Sequence, residues 1–346
     1  MGKIVSIIIT FIFIFSSIGY PLQGNVYAKA CLRIPLITTE RVDGGLRRAE
    51  HRQSNNQTEK LKKLIEQIWP NDGVEKIAIQ IAGKTWTTLR GPHYLMVENF
   101  LFLKQEDWQE HKEQLEDYQD FIIICELRHG FVWRNILDFY YGIHTILAVT
   151  LLQAYASILP NQTVLDAGSG DGVLGMVASR LGAKRVVCIE QDKEWVQKSA
   201  KFVQLNRIKN VKIIEADFGH IAKFEQTKDI TVVLASLKSN GLYKAFLEGK
   251  EDSDKRGDYY NWHMFLAKNL NPEWYFIFGA LGEIDQEYDM ASIVRDAMIE
   301  MGWKTILEHR LEGYIKRIPT AFIMKHNEND GLPIDEATQR ALQVNI

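Results

Sequence analysis

Residues 163–175 read Thr163-Val-Leu-Asp-Ala-Gly-Ser-Gly-Asp-Gly-Val-Leu-Gly175, and the rest of the chain is organised around them. Thr163 to Ala167 is a short apolar run of the kind that forms a buried strand. Gly168, Gly170 and Gly172 follow at alternate positions, and Val173 to Arg180 then has helical periodicity. A strand that runs through a glycine turn into a helix holds an anionic or zwitterionic ligand. The glycines let backbone approach it, and the helix N-terminus presents N–H groups with partial positive charge.

Two glycine patterns compete here. Read from Gly168, the dinucleotide fingerprint, G-x-G-x-x-G/A, requires a small residue at position 173, where Val173 stands. The pattern present is D-x-G-x-G-x-G, with Asp166 just ahead of the first glycine. It resembles the first motif of the class I S-adenosylmethionine (SAM) methyltransferases. Lys184-Arg-Val-Val-Cys-Ile-Glu190 reads as the next strand and ends in an acid 20 positions after Gly170. A carboxylate there accepts ribose hydroxyls in doubly wound nucleotide sites. Val211 to Phe218 reads as a third strand, ending in Asp217. The resemblance implies SAM as cofactor. It implies that Asp166, directly or through water, orients the amino group beside a turn of Gly168, Ser169, Gly170 and Gly172. Glu190, with Gln191, would hold the ribose, and Asp217, with Phe218, the adenine.

A second segment, Phe139-Tyr-Tyr-Gly-Ile-His-Thr145, precedes the strand. It resembles two methyltransferase families. Those acting on a large-subunit ribosomal protein carry G-x-H-x-T, which Gly142 and His144 match, with Thr145 one position early. Protein arginine methyltransferases carry an aromatic segment ending in Gly-Ile-His. Both imply that His144 and Thr145 lie over the cofactor. Methyl transfer to a deprotonated amine needs no general base, so none is assigned to His144.

The fourth strand, Ile230 to Ser236, leads into Leu237-Lys-Ser-Asn-Gly-Leu-Tyr243, where such enzymes select their substrate. The ribosomal-protein family has Ala-Asn; here Ala235 is followed by Ser236. No [DN]-P-P-[YFW] tetrapeptide and no paired glutamates occur, which argues against bases, glutamine and arginine as acceptors. Ser236 and Asn240 are the candidates for orienting the acceptor.

Length and composition fit one α/β domain with an appended part: 346 residues, 46% hydrophobic and 25% charged. A net charge of −3 and a pI of about 6.3 point away from a strongly basic nucleic-acid surface. Cys31, Cys125 and Cys188 are odd in number and widely spaced, so they suggest neither a disulfide framework nor a metal site.

The first 30 residues pose a targeting question. Lys3 precedes the uncharged run Ile4 to Ile18, and Ala28-Lys-Ala30 has signal-peptidase spacing. The run is shorter than the roughly 20 residues of a spanning helix. Composition favours a secretory signal. SAM, however, is a cytosolic donor, which favours a cytoplasmic catalytic domain, anchored to the membrane through residues 4–20 or numbered from a start codon too far upstream.

The expected organisation is therefore a signal-like or anchor segment (1–30), a linker and small α+β region (31–133), a methyltransferase domain (134–326) and a polar tail (327–346). Within the second part, Cys31 to Thr58 reads as linker and Glu59 to Trp69 as a helix. Lys76 to Ala82 and His93 to Leu103 read as strands, Glu106 to Tyr118 as an exposed helix, and Phe121 to Cys125 as a strand. A helix from Asn135 to Leu159 leads into the glycine loop. Gly249 to Tyr260 reads as a surface insertion before a helix from Asn261 to Leu270 and a fifth strand from Glu273. A helix from Met290 and an antiparallel pair, Trp303 to His309 with Pro319 to Lys325, complete the domain. The fold class expected is α/β, a Rossmann-like sheet of seven strands with the last antiparallel. The implied function is SAM-dependent transfer of a methyl group to a nitrogen, with a protein as substrate. A small-molecule or RNA methyltransferase on the same fold and a non-catalytic exported binding protein are the alternatives. DNA is not an expected partner.

Overall fold

A computed structural model describes residues 38–42, 54–70, 73–81, 83–126, 139–216, 229–236, 253–280, 290–311 and 319–326. The larger of its two sheets is built from β7 (Thr163–Ala167), β8 (Arg185–Glu190), β9 (Val211–Glu215), β10 (Val232–Ala235), β11 (Trp274–Ala280), β12 (Trp303–Leu311) and β13 (Pro319–His326), with β1 (Thr38–Val42) added at one edge. Their order is β1-β12-β13-β11-β10-β7-β8-β9. The strands from β11 to β9 are mutually parallel, and β13 runs antiparallel to both of its neighbours. The expected Rossmann-like sheet with an antiparallel last strand is present, with an eighth strand outside it. That strand lies where the sequence read a linker. It pairs antiparallel with β12, Thr38 opposite Leu311, and so occupies backbone groups that an edge would leave open.

β7 and β10 are buried along their whole length, which is why they read as unbroken apolar runs rather than alternating ones. One face of the sheet packs Leu165, Val233, Tyr275, Ile277 and Phe322 against Leu266 of α6 (Ser253–Leu270) and Val294 and Met298 of α7 (Met290–Glu300). Helix α6 begins eight residues earlier than expected, inside the stretch taken for a surface insertion.

The second sheet has the order β2-β3-β4-β5-β6, from Glu75–Ile81, Lys84–Arg90, Tyr94–Val97, Phe100–Leu103 and Ile122–Ile124. It is flanked by α1 (Ser54–Ile68) and by α2 (Gln105–Leu115), which with a 3-10 turn (Glu116–Phe121) connects β5 to the parallel β6. Two differences from the expected strands stand out. Lys84–Arg90, polar in sequence, forms β3. The apolar run from His93 to Leu103 breaks into a hairpin at Glu98, whose φ is +49°. Helix α2 is less exposed than its charge suggests, since Trp108 and Leu115 are buried.

Helix α3 (Phe139–Ala154) lies between the two sheets, touching β11 and β13 on one side and β2 and β4 on the other. Ile146, Leu147, Val149, Leu151 and Leu152 are all buried, as a helix covered on both sides requires. Gln153 near its end donates to the Val97 carbonyl at 2.9 Å and accepts from the Asn99 amide at 3.1 Å. These two bonds seat the β4–β5 hairpin on the helix. No helix among the described residues is long and apolar enough to cross a membrane, and the run Ile4 to Ile18 lies outside them.

Candidate functional site

The glycine loop joins β7 to α4 (Val173–Arg180) at the carboxyl end of the parallel strands. Gly168, Gly170 and Gly172 have φ of +68°, +55° and +77°, a region that side chains disfavour. At Gly172 space forbids one as well: an added Cβ would sit 2.6 Å from Ser199 Oγ on α5 (Lys193–Leu205). Gly175 is needed for a different reason. A Cβ there would meet Cys188 Sγ at 2.4 Å, so its absence lets α4 lie directly on β7 and β8.

The amides of the loop are directed inward. Gly168 and Ser169 both donate to the Ile189 carbonyl at 3.0 Å, and Gly172 donates to the Ser169 carbonyl at 2.8 Å. Gly170 donates to Glu190 Oε2 at 3.0 Å. These four amides are thus occupied within the chain; the N–H groups expected to face a ligand are those of the helix N-terminus, where the Val173 amide has a 3.4 Å contact with Asp171 Oδ1. The loop offers a ligand its shape more than its donors. The Ser169 hydroxyl, by contrast, is buried without a hydrogen-bond partner.

Glu190, at the end of β8, is the hub of the loop. Its Oε1 accepts from the Gln191 and Asp192 amides at 2.9 and 3.0 Å, while Oε2 takes Gly170. Three of a carboxylate's roughly four lone-pair positions are therefore filled. One is left for a hydroxyl, and accepting two requires the Gly170 amide to let go.

Asp166 is 2% exposed, and its Oδ2 accepts from the Gly175 amide at 2.8 Å with Cys188 Sγ 4.0 Å away. Burial pushes its carboxyl up to about 7, and the charges of Asp171 and Glu190 push the same way. The Gly175 hydrogen bond opposes them. A cation arriving at the loop would relieve that cost. A zwitterionic ligand carrying an ammonium group and a ribose hydroxyl fits this set of acceptors.

Of the other sequence candidates, Thr145 is half-buried on α3, and His144 belongs to the first part of the same helix. Gln191 is exposed directly after Glu190, and Ser236 is half-buried just past β10. Asp217, Phe218 and Asn240 lie outside the described residues. Sequence reasoning gave no part to Gly175, Ser199 or Asp192. Gly175 could have been found from its place three residues after Gly172, the spacing of a glycine that packs helix on strand. Asp192 caps α5 by accepting from the Glu194 amide at 2.9 Å, and its place just before a helical run signals it. Cys125 and Cys188 are buried free thiols, both pushed up by desolvation.

Strand order, glycine loop and acid-tipped second strand together define the class I SAM-dependent methyltransferase architecture. Residues 138–242 match the family described as ribosomal protein L11 methyltransferase (PrmA). A relative of that name from Aquifex aeolicus is 36% identical over 109 residues, 30% of this chain and 44% of the relative. One from Thermoanaerobacter pseudethanolicus is 31% identical over 163 residues, 47% and 46% of the two chains. The chain thus spans less than half the length of these curated relatives. The crystal structure of a ribosomal protein L11 methylase from Lactobacillus delbrueckii subsp. bulgaricus is 16% identical, with a TM-score of 0.44 over 68% of this chain and all of that one.

Proposed function

We propose that this protein is a SAM-dependent methyltransferase that methylates a nitrogen nucleophile on a protein. The observation that carries the proposal is the loop of three left-handed glycines bonded to Glu190. It lies inside the segment matched by a family named for methylation of a ribosomal protein. When bound, SAM supplies a sulfonium methyl group open to in-line displacement by a nitrogen lone pair. The chain's own residues do the positioning. Glu190 receives a ribose hydroxyl on Oε2. Asp166 sets negative charge beneath the turn, toward the cofactor's ammonium, and the Ser169 hydroxyl meets the amino-acid end. Asp217 and Phe218 hold the adenine, Gln191 stands beside Glu190 at the ribose, and His144 and Thr145 close over the cofactor. Ser236 and Asn240 orient the acceptor amine. Most of the rate then comes from near-attack geometry and from excluding water.

In this reading the acceptor is a ribosomal protein or one of similar chemistry. Ser236 stands where the ribosomal-protein enzymes have Asn, so the acceptor is to be identified by labelling. The catalytic domain works in the cytosol, where the donor is made, with any membrane association confined to residues 4–20. Cell fractionation tests that location.

Calorimetric titration with SAM and S-adenosylhomocysteine, repeated with Glu190→Ala, tests the cofactor site. Binding by the wild type that is lost in the variant is expected, and a wild type that binds neither ligand refutes the proposal. Incubation of lysate with methyl-labelled SAM then identifies the acceptor. Label in protein is expected, while label confined to RNA or to small molecules overturns the substrate class.

A further inference from the structure

Asn206 ends α5 and is 1% exposed. Its side-chain amide meets the backbone of the small sheet's last strand at both ends: Oδ1 accepts from the Ile124 amide at 2.8 Å, and Nδ2 donates to the Ile124 carbonyl at 2.7 Å. That pair reproduces one rung of a β-ladder with a side chain. The same Nδ2 lies 2.8 Å from the Phe202 carbonyl and 3.3 Å from Met176 Sδ, one turn into α4. The Asn206 carbonyl accepts from Arg180 Nη2 at 2.9 Å, at the other end of α4. Arg180 in turn reaches Asp120 of the small module through Nη1, also at 2.9 Å. Helix α4 is therefore gripped at two successive turns by one asparagine and by the segment it seats. Its first turn carries the Gly175 amide that Asp166 holds.

We propose that Asn206 is a positioning residue that ties α4 to the small sheet, so that the seating of that sheet sets the affinity of the glycine loop for its ligand. The inference rests on reading the loop as the cofactor site. A rigid element with fixed contacts at both ends transmits a shift at one to the other. Loss of the Asn206 clamp frees β6 and Met176 together and lets α4 move relative to β7. An isolated catalytic core would therefore bind cofactor more weakly than the chain with its small module.

Two measurements on Asn206→Leu decide the matter. The Kd for S-adenosylhomocysteine is expected to rise about tenfold, within the range of couplings carried by packed networks. Hydrogen exchange without ligand is expected to speed up at the amides of residues 173–176, with β7 and β8 unchanged. A folded Asn206→Leu with wild-type Kd and wild-type exchange overturns the proposal, as does exchange that rises evenly through both strands. The exchange arm needs no ligand, so it judges the coupling even when the wild type fails to bind and the cofactor reading falls. Should Asn206→Leu not fold, Asp120→Ala serves instead. Its side chain is 89% exposed, and the change removes one grip on Arg180 from the solvent side. A shift of about two- to threefold in Kd is expected there, with faster exchange in α4. No change in either refutes the coupling.

Discussion

Replacing Asp166 by asparagine separates what the loop needs for binding from what the fold needs for stability. The carboxyl is buried, and its pKa is raised from 3.8 to about 7. The folded chain therefore holds a proton that the unfolded chain has released between about pH 4 and pH 7. Stability falls as pH rises through that window, and the full cost of the ionised, buried group is present above it. A gap of roughly 3 pK units is worth about 4 kcal/mol. Asparagine keeps an oxygen for the Gly175 amide and removes the charge, while its NH2 group brings a desolvation cost of about 1–3 kcal/mol of its own. That offset does not depend on pH, so the informative quantity is the slope. Between about pH 5 and pH 8 the stability of Asp166→Asn relative to wild type should grow by about 2–3 kcal/mol. Urea unfolding of the ligand-free protein at the two pH values measures it from the midpoints, with m unchanged. A difference that stays constant with pH, or shrinks as pH rises, refutes the reasoning. If the proposed cofactor site is right, the same variant should bind S-adenosylhomocysteine more weakly, because the charge that destabilises the free protein is the one the proposal sets toward the ligand's ammonium.

Three further outcomes follow from the packing. Gly175→Ala places a Cβ 2.4 Å from Cys188 Sγ and should cost about 1–3 kcal/mol. Combining it with Cys188→Ala should recover part of that loss, a non-additivity read in a double-mutant cycle of unfolding energies. Gln153→Leu leaves the Val97 carbonyl and the Asn99 amide without their partner and should destabilise by about 1–3 kcal/mol in thermal unfolding. His309 on β12 is fully buried, with neither ring nitrogen hydrogen-bonded, and burial lowers its pKa to about 4. Its neutral form contributes stability that is complete above the unfolded value of about 6.5 and is lost as pH falls toward 4. His309→Leu should therefore flatten the acid side of the stability–pH curve, and an unchanged acid limb speaks against it.

The elements that were legible in the sequence are those whose local signal and tertiary environment agree. β7 and α4 have the bounds expected because an unbroken apolar strand, a glycine turn and an apolar helix face leave one register available. Where local chemistry and context part, the reading failed. Lys84-Thr-Trp-Thr-Thr-Leu-Arg90 looks polar, yet its threonines suit a pleated strand between two others. Glu98 turns the β4–β5 hairpin at positive φ without a glycine, and Asn99 beside it was a turn signal that the apolar run on either side hid. Thr38–Val42 is a strand only because β12 offers it an edge. The same holds at the site. Gly168, Gly170, Gly172, Asp166 and Glu190 stand out by residue type and spacing. Asn206 and Gln153 bond to groups 82 and 54–56 residues away, and nothing within a local window marks them.

The edge strand also bears on how the chain comes together during synthesis. Thr38 pairs with Leu311, about 270 residues later. A ribosome adding roughly 5–20 residues per second makes the first of these about 14–55 s before the second. Through that interval β1 has no partner in the sheet it will join, while the parallel strands between are already being made. Closing the sheet's outer edge is among the last acts of folding, and any nascent chain released before Leu311 leaves that edge open.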